Sequence, residues 1–376
     1  MFKSALALAL IDAGQVDTLY IEANRTGAEQ LDAFIRSRGG DARDAVRDAS
    51  IFRVLKTEGF AYLVAGMQER VARGRALRIV GIDCQDTRPD AEFALARLAT
   101  RDAALADQLR ARLAAVLAPR DPQTGAAADK PLRHPQLIKP LDTATLKASI
   151  EACHALRDAL AGDPAAAAVA DRAAQGLLAF EFDVPDGDPS KADMDYFSLR
   201  DRFIAENILA DGAVKGAFWG HNIHIMGGPR KLLEGYVTSG TVLREALGPA
   251  YRIVVCDYTS ARISAVISTP GEALPDATGA REIVTRGLLP NGLASAVAGA
   301  TPHECWIDLA SLSANDAVTA WRSTPRVFDW PGYAAPKELD TASLFPLQLA
   351  KVVDVIVVLD DVGPARFIEP RAGEGR

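Results

Sequence analysis

The pentapeptide Gly220-His221-Asn222-Ile223-His224 puts two imidazoles three residues apart, directly after the apolar run Ala217-Phe218-Trp219. The chain has only 5 histidines in 376 residues. An imidazole titrates near neutrality, so it can take or give a proton at ordinary pH. Two imidazoles and the Asn222 amide in a tight turn after a buried strand point to proton transfer or to a held polar ligand. The i, i+3 spacing also fits two ligands of a metal ion. It is not the HExxH pattern, in which the histidines stand at i, i+4 with a Glu between them. No Cys or third His lies close by in sequence to complete a site. The reading is therefore a neutral imidazole acting on water or on a substrate proton, with no metal and no cofactor. A zinc site using His221 and His224 is the chemical alternative, and a helix-capping turn or a satisfied core histidine is the structural one. His134 before Pro135, His154 in a helical run and His303 in a turn read as surface residues.

Other polar residues stand directly after apolar runs. Glu22 follows Ile21, Asp83 follows Ile82, Asp257 follows Cys256 and Asp360 follows Leu359. Ligands of open α/β sheets bind outside the carboxyl ends of the strands. In a parallel sheet these carboxylates and His221 would gather along one edge. A carboxylate in such a place is also a ready N-cap for the next helix. That reading suits Asp257 and Asp360, which lead into turns. It suits Glu22 less, because Thr26 with Glu29 three residues on already forms a capping box. Asp83 fits either role. In the helical stretch Met194–Leu209, Arg200 and Asn207 share a face with Phe197, Phe203, Ile204 and Ile208. A core-facing guanidinium needs an anion or carboxylate partner, unless its stem snorkels to solvent.

The elements that must position these residues follow from periodicity. Apolar runs at Thr18–Ile21, Leu77–Ile82, Val214–Trp219, Tyr251–Cys256, Cys305–Leu309 and Val352–Leu359 are continuous rather than alternating. Such runs are strands covered on both faces, as in a largely parallel sheet. Helical stretches near Thr26–Ser37 and Lys56–Arg73 separate the first two strands, an α/β signature. From about Pro89 to Leu178 the chain is rich in Ala, Leu and Arg and helical in period, broken by loops at Arg120–Lys130 and Arg133–Pro140. The fold expected is α/β, a largely parallel central sheet flanked by helices with an inserted helical cap subdomain. Residues 1–88 form the first part of the core, 89–180 the helical insertion and 181–376 the second part. The segment Ser323–Pro346 is loop-rich, and Gly227-Gly228-Pro229 leads towards a helix over Lys231–Leu247.

Composition narrows the function. The apolar fraction of 49% supports a sizeable core. A formal net charge of -7 argues against nucleic acid and anionic membranes as partners. No apolar stretch reaches the roughly 20 residues of a membrane span. Met1–Ile11 has a mild leader-like look but reads better as an Ala/Leu-rich helix on a sheet. Four cysteines without a CxxC pair suit a reducing cytoplasm. No GxSxG elbow, GxGxxG or GxxxxGK[ST] occurs.

The order of motifs carries a resemblance. Ile21-Glu22-Ala23, Gly81-Ile82-Asp83-Cys84-Gln85, Arg200-Asp201-x-x-Ile204-Ala205-x-Asn207 and Trp219-Gly220-His221-Asn222-x-His224 together look like the erythromycin esterase family. Leu247-Gly248-Pro249-Ala250-Tyr251 and the last strand with Asp354 and Asp360 fit the same pattern. The resemblance implies an α/β core with a helical cap. It further implies hydrolysis of an ester or macrolide lactone by activated water, without a covalent serine intermediate. His221, His224, Glu22 and Arg200 are then the catalytic candidates, with Asp83, Asn207 and Asn222 supporting them or the substrate. His221 or His224 would position or protonate the leaving group, Arg200 would hold an oxyanion or carboxylate, and Glu22 would orient water or a histidine. Partners reduce to a small-molecule ester or lactone, with antibiotic resistance as the role the family implies. Members of the family also carry an N-terminal G-E-x-x-H motif whose histidine serves as general base. This chain begins within the helix that should follow it, so the motif is expected to be missing. A catalytically impaired or purely binding protein on the same fold is the resulting alternative.

Overall fold

The structure is a computed structural model that describes residues 1–84, 87–117, 143–179, 189–228, 237–269, 280–292, 294–295, 304–312, 315–327, 329, 334–339, 344 and 346–369. The chain divides into two compact units, Met1–Trp219 with Arg366–Arg376 and Gly220–Ala365. The expected 89–180 segment lies inside the first. The loops expected at Arg120–Lys130 and Arg133–Pro140 fall outside the described residues, as do His134, His303 and Gln85.

The first unit opens with helix α1 (Phe2–Asp12) and strand β1 (Thr18–Asn24), followed by α2 (Arg25–Arg36), α3 (Ala42–Asp48), α4 (Glu58–Ala72) and β2 (Arg78–Asp83). Helices α5 (Thr87–Ala99), α6 (Ala103–Arg112), α7 (Ala114–Leu117), α8 (Thr143–Ala159), α9 (Pro164–Ala179) and α10 (Pro189–Asp211) come before β3 (Gly216–Trp219). The three strands form one parallel sheet in the order β2-β1-β3. Alternation along β1 sends Leu19 and Ile21 into one core with α1 to α4, among them Leu31, Ile35, Phe60, Leu63 and Met67. It sends Tyr20 to the other face, with Val80, Ile82 and Ile204 of α10. Helices α5 to α9 bury their own apolar cluster, which includes Leu95, Leu109, Cys153, Leu156, Val169 and Leu177. The half-buried His154 lies on α8, the helical placement read for it.

The second unit contains α11 (Asn222–Ile225), α12 (Ser239–Leu247), β4 (Val254–Tyr258), β5 (Ala261–Ser268), β6 (Arg281–Arg286) and β7 (Cys305–Asp308). It continues with α13 (Asp316–Ser323), β8 (Ala334–Pro336), α14 (Leu349–Val352) and β9 (Val355–Leu359). Its described strands form two sheets, β4-β9-β7 and β6-β5-β8. The fold is α/β as read, but only the first sheet is wholly parallel. Strand β9 pairs in parallel with β4 and antiparallel with β7, and β5 pairs antiparallel with β6. Strand β9 is buried along Val355 to Val358, which explains its continuous apolar run. Strands β5 and β6 escape sequence reading because Arg, Ser, Thr and Glu interrupt their apolar residues, the mark of half-exposed pairing, and β8 because it is only three residues long.

The capping expectation at α2 is overturned. Thr26 is not the N-cap of α2; Asn24 is, and the Thr26 N–H donates to Asp90 Oδ1 of α5 at 2.8 Å. A partner 64 residues away outcompetes the local capping box. Glu29 is paired instead with Arg25, four residues earlier. The described part of the helix expected over Lys231–Leu247 starts only at Ser239, capped by the Thr238 hydroxyl, which accepts from Thr241 N–H.

Close packing of α9 on the end of β2 depends on Gly176. A Cβ there would stand 2.4 Å from the Cys84 carbonyl oxygen and 2.5 Å from Thr87 Oγ1. Helix propensity favours Ala over Gly by about 1 kcal/mol, whereas overpacking against backbone costs roughly 1–3 kcal/mol. Gly176→Ala should therefore lower the midpoint of urea unfolding. A raised midpoint would mean that α9 does not sit against Cys84.

Candidate active site

Strand β1 runs in register with β2 from Thr18↔Arg78 to Ile21↔Gly81, and the register then shifts before Asn24↔Asp83. Glu22 and Ala23 lie in that irregularity. It exists because residue 81 is Gly: a Cβ there would be 2.4 Å from the Asn24 carbonyl oxygen and 2.9 Å from that of Ala23. The Gly of the Gly81-x-Asp83 motif thus lets β1 fold closely over β2 just where Glu22 emerges.

Glu22 and Asp83 meet on Arg200, which α10 carries into the interior. Arg200 is 2% exposed and Asp83 is 0% exposed. Arg200 Nε donates to Asp83 Oδ1 at 2.9 Å, and Nη2 donates to Asp83 Oδ2 at 2.6 Å. This two-point match of guanidinium and carboxylate is the geometry Arg favours. Nη2 also donates to Glu22 Oε1 at 3.0 Å. The Cys84 N–H donates to Asp83 Oδ1 at 2.8 Å, so Asp83 is held from both sides. The Glu22 side chain keeps 18% exposure. The core-facing orientation read for Arg200 and Asn207 is what α10 shows, and neither snorkels.

Asn207 works on the backbone. Its Nδ2 donates to the Ile82 carbonyl at 2.9 Å, the residue before Asp83. It also exchanges hydrogen bonds with Gln175 of α9, at 3.0 and 3.1 Å. Gln175 was not singled out in sequence, because an amide in an Ala-rich helix carries no periodic signal. Buried Cys84 has its thiol pushed up by desolvation and by Asp83, which keeps it protonated and inert.

The histidines belong to the second unit. His221 is the N-cap of the one-turn helix α11, where its Nδ1 accepts from the Ile223 N–H at 3.3 Å. The capping alternative is therefore part of the answer. An accepting Nδ1 puts the ring proton of neutral His221 on Nε2, which makes Nε2 a donor. His224 is buried at 6% exposure, and the two rings lie 6.3 Å apart at 68°. Asn222 is the first residue of α11, and its carbonyl accepts from Met226 N–H. Among the described residues no three His, Cys, Asp or Glu side chains are placed to hold a metal ion.

Among the described residues, Glu22 and Asp83 belong to one sheet and Asp257 to another, so they do not share the edge of a single sheet. Asp257 does not cap a helix. It lies within β4 at 7% exposure, and its Oδ2 accepts from Ala294 N–H at 3.0 Å. Desolvation, with a contribution from nearby Asp329, raises its carboxyl to about 6. Asp329 is itself bonded by the Tyr258 hydroxyl and paired with Arg286. Asp360 accepts from the Thr259 hydroxyl across the β4–β9 pair instead of capping a helix. Asp354 precedes β9 and binds Arg244 at 3.2 and 2.6 Å.

A family model described as erythromycin esterase matches residues 11–362. The chain belongs to the erythromycin esterase family. Solved structures agree in fold. A Bacillus cereus protein is 15% identical, with 97% of this chain and 85% of that chain covered and a TM-score of 0.73. A protein described as a succinoglycan biosynthesis protein is 14% identical, with 98% and 85% covered and a TM-score of 0.75. A variant of an erythromycin esterase in its open conformation is 16% identical, with 96% and 86% covered and a TM-score of 0.60. No match is found among curated proteins.

Two outcomes test this geometry. Arg200→Ala strands Asp83 as a buried charge, and breaking such a pair costs roughly 3–5 kcal/mol. The loss should appear in urea unfolding, and a change below 1 kcal/mol would contradict the burial of Asp83. For Asp257, the folded carboxyl holds its proton to about pH 6, whereas its ordinary value is 3.8. Its contribution is complete below the ordinary value and is lost as pH rises through about 6. Stability should fall by up to about 3 kcal/mol across that window. Asp257→Asn should flatten that part of the profile, and an unchanged slope would mean the group does not titrate there.

Proposed function

We propose that this chain hydrolyses a carboxylic ester or lactone by attack of activated water, with macrolide lactones as the substrate class the family suggests. The observation that carries this reading is the unequal sharing of Arg200. Asp83 is fully enclosed and accepts from Nε and Nη2 of the guanidinium, whereas Glu22 accepts from Nη2 at the longer distance of 3.0 Å and keeps contact with solvent. A carboxylate that is anchored yet accessible can orient a water and take its proton. The cation behind it supplies a fixed field for a developing oxyanion. His221 and His224 are proposed to position the leaving group, to which the Nε2–H of neutral His221 can donate a hydrogen bond. Asn207 and Asn222 are proposed as supports of these two sets. No covalent serine step is invoked.

A small-molecule substrate, without nucleic acid or membrane partners, agrees with the acidic charge. No helix among the described residues is long and apolar enough to cross a membrane. A cytoplasmic setting and a contribution to antibiotic resistance are part of the proposal. Unbridged Cys84, Cys153, Cys256 and Cys305 support a reducing compartment.

The test is turnover of a panel of p-nitrophenyl esters and macrocyclic lactones by the full chain. Glu22→Gln should lower kcat roughly 10²–10⁴-fold, the usual contribution of general acid–base catalysis, with the circular dichroism spectrum unchanged. His221→Ala and His224→Ala should each lower kcat as well. If all three variants keep the wild-type rate, the assignment is wrong. If the wild type binds a lactone but turns over none of the panel, the chain is a binding protein on this fold.

A further inference from the structure

The first unit carries a second interior arginine whose fork is not filled among the described residues. Arg172, on α9, is 8% exposed. Its Nη1 makes two long contacts, 3.5 Å to Asp171 Oδ2 and 3.3 Å to Gln175 Oε1. Its Nε is buried with no partner. Arg200 shows, in the same unit, what occupies this edge of a guanidinium: its Nε and Nη2 are both taken by the Asp83 carboxylate. Among the described residues, no carboxylate is bonded to that edge of Arg172.

Its place is defined by neighbours. Gly176, one turn further along α9, rests on the Cys84 carbonyl at the end of β2. Gln175, which Arg172 touches, is bonded to Asn207, and Asn207 to the Ile82 carbonyl. Both Arg172 and Arg200 act electrostatically on the Cys84 thiol. The two arginines therefore approach the same carboxyl end of β2. Of the nearby charges, Arg25 is bonded to Glu29, and Asp90 Oδ1 receives the Thr26 N–H. Desolvation outweighs the attraction of Asp171 and Asp90 and lowers Arg172 to about 10. A cation buried without its fork satisfied is costly in the empty protein, and an anion set on that edge removes the cost.

We propose that Arg172 recognises an anionic group, a carboxylate or phosphate oxyanion, on the ligand bound at this end of the sheet. Resting on the hydrolase reading, this narrows the substrate class to esters that carry a negative charge away from the scissile bond. The Arg172 side chain keeps 9% exposure.

The experiment compares mono-p-nitrophenyl glutarate with p-nitrophenyl valerate, two esters of equal chain length that differ in a terminal carboxylate. The wild type should prefer the glutarate ester in kcat/KM by roughly tenfold to a hundredfold, mainly through KM, as a charge-assisted pair provides. In Arg172→Gln the preference should collapse towards one, and Arg172→Lys, which keeps the charge but not the fork, should fall between. Calorimetric titration of glutarate itself reads the same contact without turnover, with binding to the wild type lost in Arg172→Gln. Equal preference in wild type and Arg172→Gln overturns the inference, as does glutarate binding that is absent or unchanged by the substitution. If neither ester turns over but glutarate binding depends on Arg172, the hydrolase reading fails and the anion site stands. Should Arg172→Gln not fold, Arg172→Lys decides, since an unaltered preference there excludes recognition by the fork.

Discussion

The ion pair of Arg200 and Asp83 is the constraint on which the rest of the first unit depends. Both groups lie out of water, and removing charges from water costs several kcal/mol for each ion after relaxation. That cost is offset only when geometry is good and the remaining donors and acceptors are satisfied. The bidentate match, the Cys84 N–H and the bond to Glu22 meet that condition. A pair of this kind adds little net stability over apolar residues of similar volume. What it adds is position, since neither partner can move without exposing the other to an apolar wall.

The backbone around the pair is arranged to keep it in place. Two glycines allow approaches that no side chain would permit. Gly81 lets β1 shift register over β2, and Gly176 lets α9 rest on the carbonyl that follows Asp83. The reciprocal amide bonds of Gln175 and Asn207 then join α9 to α10, and Asn207 ties both to the carbonyl of Ile82. Strand end, Arg-bearing helix and covering helix are thereby connected through neutral hydrogen bonds. These do not compete with the ion pair for charge, and their strength is insensitive to pH.

The legible parts of this arrangement were those with local signals. The described strands of the first sheet and the core-facing side of α10 follow from apolar runs and helical spacing, so Glu22, Asp83, Arg200 and Asn207 could be singled out by position alone. Three kinds of feature were not legible. Thr26 read as an N-cap because its true partner, Asp90, lies on another helix. The mixed sheets of the second unit were hidden because β5 and β6 combine apolar with charged residues. Arg172 and Gln175 were overlooked because their meaning comes from the packing of an Ala-rich helix against β2, and composition there speaks only of helix. Local chemistry is written in the chain order, whereas long-range satisfaction of buried polar groups is not.

Glu22 and Asp83 contact one guanidinium, yet their environments assign them different chemistry. Asp83 receives hydrogen bonds from Arg200 Nε, Arg200 Nη2 and the Cys84 N–H, and has no exposure. Its task is to hold Arg200. Glu22 accepts from Nη2 at the longer distance of 3.0 Å and reaches solvent. A proton arriving at Glu22 leaves the Arg200–Asp83 pair intact, so the electrostatic cost of proton transfer falls on a group that can bear it. The register shift in β1 is what creates this inequality, because it places Glu22 beside the fork without placing it inside. A regular β1 over a residue larger than Gly81 would not present its carboxylate in this way.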